Sequence, residues 1–277
     1  MSLQVDQIIE RALDEDIGSG DPGSTLLFPE EARATAVIQA KESGILAGLP
    51  VAEATFKKLA PDLKWQPKTR DGQSVSSGEV VAELKGSLQG ILMGERVALN
   101  FLQRLSGIAT ATRRFVDAVR GLEVKILDTR KTAPGLRVLD KYAVRAGGGH
   151  NHRFGLYDGI LVKDNHIRAA GGVEKAMKLL REKSPPILKI EVEVTSVCQA
   201  QEALAAGAAV IMLDNMSSAD MAEAVRIIGR RALVEASGGV TLEGVREIAA
   251  TGVDWISVGA LTHSAKALDL SLEVVSA

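Results

Sequence analysis

Residues 124–132, VKILDTRKT, begin a pattern that recurs until residue 262, in which a short apolar run stops abruptly at charged or glycine-rich residues. The other five members are GILVKDNH (159–166), KIEVEVTS (189–196), AVIMLDN (209–215), ALVEASGG (232–239) and WISVGALT (255–262). A stretch with helical spacing follows each one. Short apolar runs alternating with helices are typical of parallel strands that are buried on both faces. The pattern therefore predicts an α/β fold with a parallel sheet.

The strand ends are expected to carry the function. They fall at Lys131, Lys163, Glu193, Asp214, Ser237 and Gly259, which are roughly 20 to 32 residues apart, the length of one strand and one returning helix. In a closed parallel barrel, the carboxyl ends of all strands open onto one rim. The spacing therefore predicts that these residues meet over a single mouth.

Composition excludes several classes of protein. With 277 residues, 46% of them hydrophobic, the chain can bury the core of one barrel and an additional domain. A net charge of -2 and a pI near 6.1 argue against general nucleic-acid binding. No apolar run reaches the roughly 18 residues of a membrane helix, so we expect a cytoplasmic protein without membrane contact. The only cysteine, Cys198, excludes an internal disulfide, and we expect it to be buried.

The residues before residue 111 predict a smaller α/β layer. Residues 5–13 have helical spacing, and residues 34–49 and 65–85 alternate as strands do. The run DGQSVSSGEVVAEL (71–84) predicts a β-hairpin. Ser87 is placed to cap a long amphipathic helix. Arg96 lies on a different face of that helix from much of the leucine stripe, where an arginine is usually a solvated surface charge.

Four cations are predicted to share the mouth, namely Arg130, Lys131, Arg153 and Lys163. At about 7 Å separation and an effective dielectric near 20, each pair repels by roughly 2 kcal/mol. An anionic ligand with several charges offsets that repulsion. Arginine binds carboxylates and phosphates through two parallel hydrogen bonds, whereas lysine supplies a point charge. The mixture suits a substrate with both carboxylate and phosphate groups.

The acidic residues and the last two loops leave alternatives open. Glu193 and Asp214 either neutralise the lysines, or hold Mg²⁺ directly or through water and face a reacting sugar carbon. The loops ASGGVT (236–241) and SVGALT (257–262) place small residues and backbone N–H groups where barrels commonly bind phosphate. The histidines His150, His152 and His166 allow a zinc site, but for His152 a hydrogen bond to a substrate carboxylate is the favoured interpretation.

The longer motifs resemble one family, quinolinate phosphoribosyltransferase. The resemblance covers nearly the whole chain. It is carried by ERVALNFLQRLSGIAT (95–110), DTRKTAPGLRVLDKYAVRAGGGHNHRFGLYDGILVKDNHI (128–167), EVEV (191–194), MLDN (212–215), EASGG (235–239) and SVGALT (257–262).

The resemblance implies a fold, a reaction and an assembly. The fold would be an N-terminal α/β sandwich, residues 1–110 joined by 266–277, attached to an incomplete barrel of six or seven strands, residues 111–265. The reaction would join quinolinate to phosphoribosyl pyrophosphate with Mg²⁺, giving nicotinate mononucleotide, pyrophosphate and CO₂ in de novo NAD synthesis. The assembly would be a homodimer, or a higher oligomer, in which Arg96 reaches the active site of the neighbouring subunit.

Carried over to this sequence, the family's active-site residues fall into three groups. The quinolinate carboxylates would be held by Arg130, His152, Arg153 and Lys163, with Arg96 from the neighbour, and Thr129 belongs to the same substrate-binding set. Lys131 would contact the pyrophosphate or the pyridine, and Glu193 and Asp214 the ribose and Mg²⁺. The 5-phosphate would lie against Ser237, Gly238, Gly239 and Gly259. The expected catalytic residues are Lys131, Lys163, Glu193 and Asp214.

Three rival functions remain at this point. A barrel lyase or aldolase could use Lys131 or Lys163 to form a Schiff base on a phosphosugar, although it would explain the paired arginines poorly. A member of the same family could act on another pyridine or serve molybdenum transport, which the DTRKT and HNHR segments make less fitting. A non-catalytic ligand-binding protein would not need the intact pair of Glu193 and Asp214.

Overall fold

The computed structural model describes residues 2–276. Its helices are α1 (Leu3–Ile17), α2 (Pro22–Leu27), α3 (Leu49–Leu59), α4 (Leu88–Ala118), α5 (Arg137–Ala146), α6 (Asp164–Ala170), α7 (Val173–Lys183), α8 (Val197–Ala205), α9 (Ser218–Ile228), α10 (Val245–Ala250) and α11 (Ala260–His263). Its strands are β1 (Arg33–Ala40), β2 (Gly44–Ile45), β3 (Lys64–Pro67), β4 (Ser74–Val75), β5 (Val80–Ser87), β6 (Lys125–Leu127), β7 (Ile160–Val162), β8 (Ile190–Val194), β9 (Val210–Asp214), β10 (Leu233–Ser237), β11 (Trp255–Ser257) and β12 (Leu270–Ser276).

The chain divides into two compact units. The first contains residues 2–113, 132–148 and 261–276, and the second contains residues 114–131 and 149–260. The predicted domain ranges changed at residues 110/111 and 265/266, close to two of these boundaries. Residues 132–148, which include α5, belong to the first unit, whereas the predicted ranges kept them with the barrel.

The first unit is built on an antiparallel sheet with strand order β12-β1-β5-β3. Every second residue of β1 is buried, as expected for a strand with one face on a core. Phe56 of α3 and Leu99 of α4 pack in that core beside Ile38 and Leu84 of the sheet. The pairing of β12 with β1 confirms that the end of the chain returns to this sandwich.

The predicted hairpin in residues 71–84 is wrong. The structure forms both strands, β4 and β5, with a tight turn between them, but they belong to different sheets. β4 pairs with β2, and β5 pairs with β1 and β3. The reason is length. A two-residue β4 offers little pairing to β5, whereas β5 pairs with seven of the eight residues of β1.

Ser87 caps α4, as the sequence predicts, because its Oγ accepts the backbone N–H of Gly90 at 3.2 Å. Ser87→Ala leaves this N–H without its partner, and we expect the free energy of unfolding to fall by about 1 kcal/mol. Ser87→Asp retains a capping oxygen and is the matched control. Urea denaturation measures both variants, and an equal loss in the two would show that the hydroxyl does not act as a cap.

The second unit is the incomplete barrel. Six parallel strands follow the order β6-β11-β10-β9-β8-β7, which confirms the fold predicted from the repeating pattern. All six strands fall within the six quoted runs. The two edge strands, β6 and β7, do not pair with each other in this order, so the barrel has an open seam between them. The segment that starts at Gly149 enters this seam, where His150 makes a single parallel bridge to Leu127.

Cys198 is exposed on α8, so the prediction of a buried cysteine is wrong. Its helix places Ala200 and Ala203 on the buried face, and Cys198 lies off that face.

Across residues 2–276, no helix has both the length and the apolar character required to cross a bilayer.

Candidate active site

A cavity of about 560 Å³ lies in the second unit. We call it the mouth cavity. Its lining includes eleven of the residues predicted for the site, which are Thr129, Arg130, Lys131, His152, Arg153, Lys163, Glu193, Asp214, Ser237, Gly238 and Gly239. Its further lining residues are Leu161, Met212, Asn215, Glu235 and Ser257. The structure thus brings together side chains that are up to 110 positions apart in the sequence, and the volume suits small-molecule substrates.

Two predicted site residues lie elsewhere. Arg96 is on α4 in the first unit, and its side chain is 58% exposed with Glu95 3.9 Å away. Gly259 directly precedes α11 and is not part of the cavity lining. The roles predicted for both therefore stay predictions.

Strand periodicity explains why the acidic residues face inward. Met212 and Asp214 are two positions apart on β9 and both line the cavity, because alternate residues of a strand share a face. On the neighbouring strand β10, Glu235 and Ser237 do the same, and Ser237 is paired in register with Asp214. Each strand therefore contributes one side chain near its carboxyl end and one a layer deeper.

Both cations and carboxylates line the mouth cavity. Lys163 Nζ lies 3.3 Å from Glu193 Oε2, and the lysine side chain is 50% exposed. Burial and the neighbouring Arg130 lower the pKa of Arg153 from its ordinary value. The charge of Arg130 thus acts on Arg153, as the predicted crowding of cations requires. The cavity is suited to a multiply charged anion.

The predicted phosphate loop has a specific backbone shape. Gly238 has φ +90° and Gly239 has φ +59°, conformations that favour glycine. A Cβ atom on Gly238 would lie 2.4 Å from the side chain of Asn215, so a larger residue would require Asn215 to move. The following helix, α10, begins only at Val245. Any phosphate contact must therefore come from the loop backbone, since the helix end expected directly after the loop lies further along the chain.

His152 is held from inside the barrel. Its Nε2 lies 3.0 Å from Glu191 Oε2 and 3.5 Å from Glu235 Oε2, and its Nδ1 accepts the backbone N–H of Arg153 at 2.8 Å. We call His152, Glu191 and Glu235 the inner cluster. The sequence-based prediction gave His152 to a substrate carboxylate. In this structure both ring nitrogens have protein partners.

Sequence reasoning overlooked the two carboxylates of the inner cluster, and it also overlooked Asp128. A signal was present, because Glu191 is two positions before Glu193 and Glu235 is two before Ser237. Strand alternation places each pair on one face. For Asp128, the first residue after β6, only its position at a strand end could have drawn attention to it.

The inner cluster is a group of metal-capable side chains, with ligand atoms within 4.8 Å of one another. The hydrogen bond from the Arg153 N–H to Nδ1 uses the lone pair of that nitrogen, so Nε2 carries the ring proton. A metal at Nε2 would have to displace that proton. Among the described residues, neither His150 nor His166 belongs to this group, so the structure does not bring the three histidines together as a zinc site requires.

The inner cluster retains a proton. Burial alone would lower the pKa of His152, but its hydrogen bonds to Glu191 and Glu235 outweigh burial and raise that pKa to about 10. Burial also raises the pKa of Glu191. Together, His152 and its two carboxylate partners therefore bind one proton more tightly than a free imidazole does.

The retained proton predicts a pH dependence of stability. Because the pKa of His152 is raised from 6.5 to about 10, its contribution to the free energy of unfolding is fully present below pH 6.5 and disappears as the pH rises through 10. We expect a loss on the order of a few kcal/mol across this range. Urea denaturation between pH 6 and 10 measures it, with His152→Gln as the variant that lacks the group. The same slope in both proteins would contradict the assignment.

The comparisons with known proteins agree over the whole chain. The family model described as "Quinolinate phosphoribosyl transferase, C-terminal domain" matches residues 108–273, and the model of the N-terminal domain matches residues 21–106. A protein from Bacillus subtilis, described as a probable nicotinate-nucleotide pyrophosphorylase [carboxylating], is 47% identical over 272 residues. That match covers 98% of this chain and 94% of the relative.

Solved structures give the same result. The crystal structure of NadC from Streptococcus pyogenes has a TM-score of 0.97 and 42% identity, covering 100% of this chain and 98% of that one. The nicotinate-nucleotide pyrophosphorylase from Francisella tularensis has a TM-score of 0.91 and 41% identity, covering 98% and 96%.

Proposed function

The chain belongs to the quinolinate phosphoribosyltransferase family, and we propose that the mouth cavity is its active site. The enzyme transfers the phosphoribosyl group of phosphoribosyl pyrophosphate to quinolinate with decarboxylation. The products are nicotinate mononucleotide, pyrophosphate and CO₂, and the reaction serves NAD biosynthesis. The observation that supports the site assignment is the convergence of four cations, three acidic side chains and a glycine loop in one cavity.

Quinolinate binds at the arginine side of the cavity. Its two carboxylates are on adjacent ring carbons, and a pair of guanidinium groups can donate parallel hydrogen bonds to both. Arg130 and Arg153 are the two arginines that line the cavity, and Lys163 adds a point charge. The Arg153 guanidinium is already oriented, because Nη1 donates to the carbonyl of Gly159 at 2.8 Å.

The phosphoribosyl donor binds on the opposite strands. Its 5-phosphate lies against the backbone of Ser237, Gly238 and Gly239, and the positive φ angles of the two glycines turn successive N–H groups towards an anion. The ribose faces Glu193 and Asp214. Lys131 is placed for the pyrophosphate, and its backbone N–H is fixed by Thr129 Oγ1 at 3.0 Å.

Mg²⁺ fits the donor set of Glu193 and Asp214, because both are carboxylates and hard divalent cations prefer oxygen ligands. The two residues lie on neighbouring strands, β8 and β9, and both line the mouth cavity. When bound there, directly or through water, the ion supplies positive charge beside the pyrophosphate.

The protein contributes mainly position and charge. As pyrophosphate leaves C1 of the ribose, Lys131 offsets the negative charge of the leaving group, and Glu193 and Asp214 stabilise the cationic sugar. The pyridine nitrogen of quinolinate, held by the arginines, then attacks C1. The alkylated, positively charged ring accepts the electrons released when the adjacent carboxylate departs as CO₂. A proton then takes its place on the ring.

The second part of the proposal concerns assembly. An active site shared across a homodimer gives a role to Arg96, which the fold leaves exposed on α4. In that arrangement Arg96 of one subunit adds a guanidinium to the quinolinate carboxylates held by the other. The charge balance favours this, because quinolinate and the donor together carry more negative charge than the cavity cations of one subunit offset.

Product analysis tests the proposed function. Purified protein with quinolinate, phosphoribosyl pyrophosphate and Mg²⁺ should form nicotinate mononucleotide and pyrophosphate in equal amounts, and a chelator should stop the reaction. Borohydride should trap no covalent adduct, because phosphoribosyl transfer forms no imine. Absence of pyrophosphate at saturating substrate would refute the proposal in favour of a ligand-binding protein.

A further inference from the structure

The segment from His150 to Arg153 lies where the barrel lacks a strand. It follows β6 for one residue only, because the His150 N–H donates to Ile126 O at 2.8 Å and the Asp128 N–H donates to His150 O at 3.1 Å. A full strand would continue this ladder on both sides. Two consecutive lining residues of the mouth cavity, His152 and Arg153, are therefore carried by a segment with little backbone pairing.

Side-chain carboxylates take the place of the missing ladder. Asp128 is fully buried, and its two oxygens accept the His152 backbone N–H at 2.8 Å and Asn151 Nδ2 at 2.6 Å. These bonds hold the backbone just before Arg153. A buried carboxylate that accepts two N–H groups makes strong, directional contacts, because water does not compete with them.

The inner cluster holds the same segment from below. The His152 ring connects Glu191 on one side to the Arg153 backbone N–H on the other. Glu235, also fully buried, is fixed in turn by the Ser257 hydroxyl, which donates to its Oε1. The hydrogen-bonded path to the Arg153 backbone runs from Glu191 on β8 through the His152 ring, and Glu235 on β10 supports that ring through an ionic contact of 3.5 Å to Nε2.

We propose that Asp128, Glu191 and Glu235 are positioning residues for quinolinate, which act by holding Arg153 in the gap left by the missing strand. This inference rests on the proposed function. None of the three needs to contact the substrate. Their effect is to fix the Arg153 backbone, so that its guanidinium meets the paired carboxylates of a pyridine dicarboxylate in one orientation. A displacement of about 1 Å at such a group can cost on the order of 100-fold in rate.

A double-mutant cycle between Asp128→Ala and Arg153→Ala tests the inference. Asp128→Ala should raise the KM for quinolinate by at least about 10-fold and change the KM for phosphoribosyl pyrophosphate by less than about 2-fold. In the Arg153→Ala background it should add less than about 2-fold, because the group it positions is gone. Calorimetric titration with benzene-1,2-dicarboxylate, which lacks the reacting nitrogen, should show the same pattern without turnover.

The matched control is Asp254→Ala. Asp254 also accepts a backbone N–H at 2.8 Å, that of Val234, but near the other end of β10. It should lower stability and leave both KM values unchanged. Asp128 is only two residues from Arg130, so its loss could act through either arginine. Glu235 is far from Arg130 in the sequence, so Glu235→Gln tests the effect through Arg153. Glu235→Gln should raise the KM for quinolinate less than Glu235→Ala does. Like Asp128→Ala, it should add little to the effect of Arg153→Ala.

Two results would overturn the inference. One is additivity, in which Asp128→Ala or Glu235→Gln reduces activity by the same factor in the Arg153→Ala background as in the wild-type protein. The other is an equal rise of both KM values, which a general loosening of the barrel would produce. If Asp128→Ala does not fold, Asp128→Asn and Glu235→Gln decide the question by the same criteria. An inactive wild-type protein would instead refute the proposed function.

Discussion

Lys163→Ala is expected to reduce kcat/KM for quinolinate by about 100- to 1,000-fold, the loss typical of removing a charge that stabilises a bound anion and its transition state. The residue directly follows β7 and lines the mouth cavity, to which it adds a positive charge. A steady-state assay at saturating phosphoribosyl donor measures the change. Since Lys163 acts on the substrate, its removal should affect the reaction far more than the fold.

The expected effect of Lys163→Ala on stability is small. Its side chain is half exposed, and its ion pair with Glu193 is partly open to solvent. Such pairs contribute roughly 0–1 kcal/mol. Lys178→Ala, an exposed lysine on α7 outside the cavity lining, is the matched control and should retain full activity. Near-normal turnover of Lys163→Ala would refute the assignment of the mouth cavity.

Arg96→Ala is expected to be almost inactive alone and to recover activity when mixed with Lys163→Ala. If the site is shared, a hybrid dimer contains one intact site, with Lys163 from one subunit and Arg96 from the other. Random reassortment makes half of the dimers hybrid, so about a quarter of the wild-type sites should return. The assay is turnover after mixing, partial unfolding and refolding of the two variants.

A mixture of Lys163→Ala with Lys131→Ala is the negative control for this experiment. Both changes lie in the same cavity, so every site of their hybrid dimer lacks one lysine, and no recovery is expected. Activity of the Arg96→Ala mixture no higher than that of the separate variants would contradict a shared site. Size-exclusion chromatography gives the oligomeric state independently.

The sequence predicted the barrel and the convergence of its strand ends, because both follow from short-range periodicity. Six apolar runs with charged ends define six parallel strands, and parallel strands must open at the same rim. The position of Lys163, Glu193 and Asp214 at the carboxyl ends of such strands is sufficient to predict that they meet in one cavity. The glycines at 238 and 239 were predicted in the same way, since only their position after a strand was needed.

The features that were missed depend on long-range pairing. β4 and β5 are adjacent in the sequence, but the choice between a hairpin and two separate sheets is made by β1 and β2, which no local pattern reveals. Likewise, the seam between β6 and β7 appears only when the strand order is known. The role of Asp128, whose side chain holds residues 151 and 152 in that seam, could therefore not be predicted before the seam was known.

The most direct test follows the label from quinolinate carrying ¹⁴C in the carboxyl group next to the ring nitrogen. With phosphoribosyl pyrophosphate and Mg²⁺, the wild-type protein should release labelled CO₂ in step with nicotinate mononucleotide, and Lys163→Ala should release almost none. Without the donor there should be no release, because the ring accepts electrons only after its nitrogen is alkylated. Labelled CO₂ in the absence of donor, or undiminished release by the variant, would contradict the account.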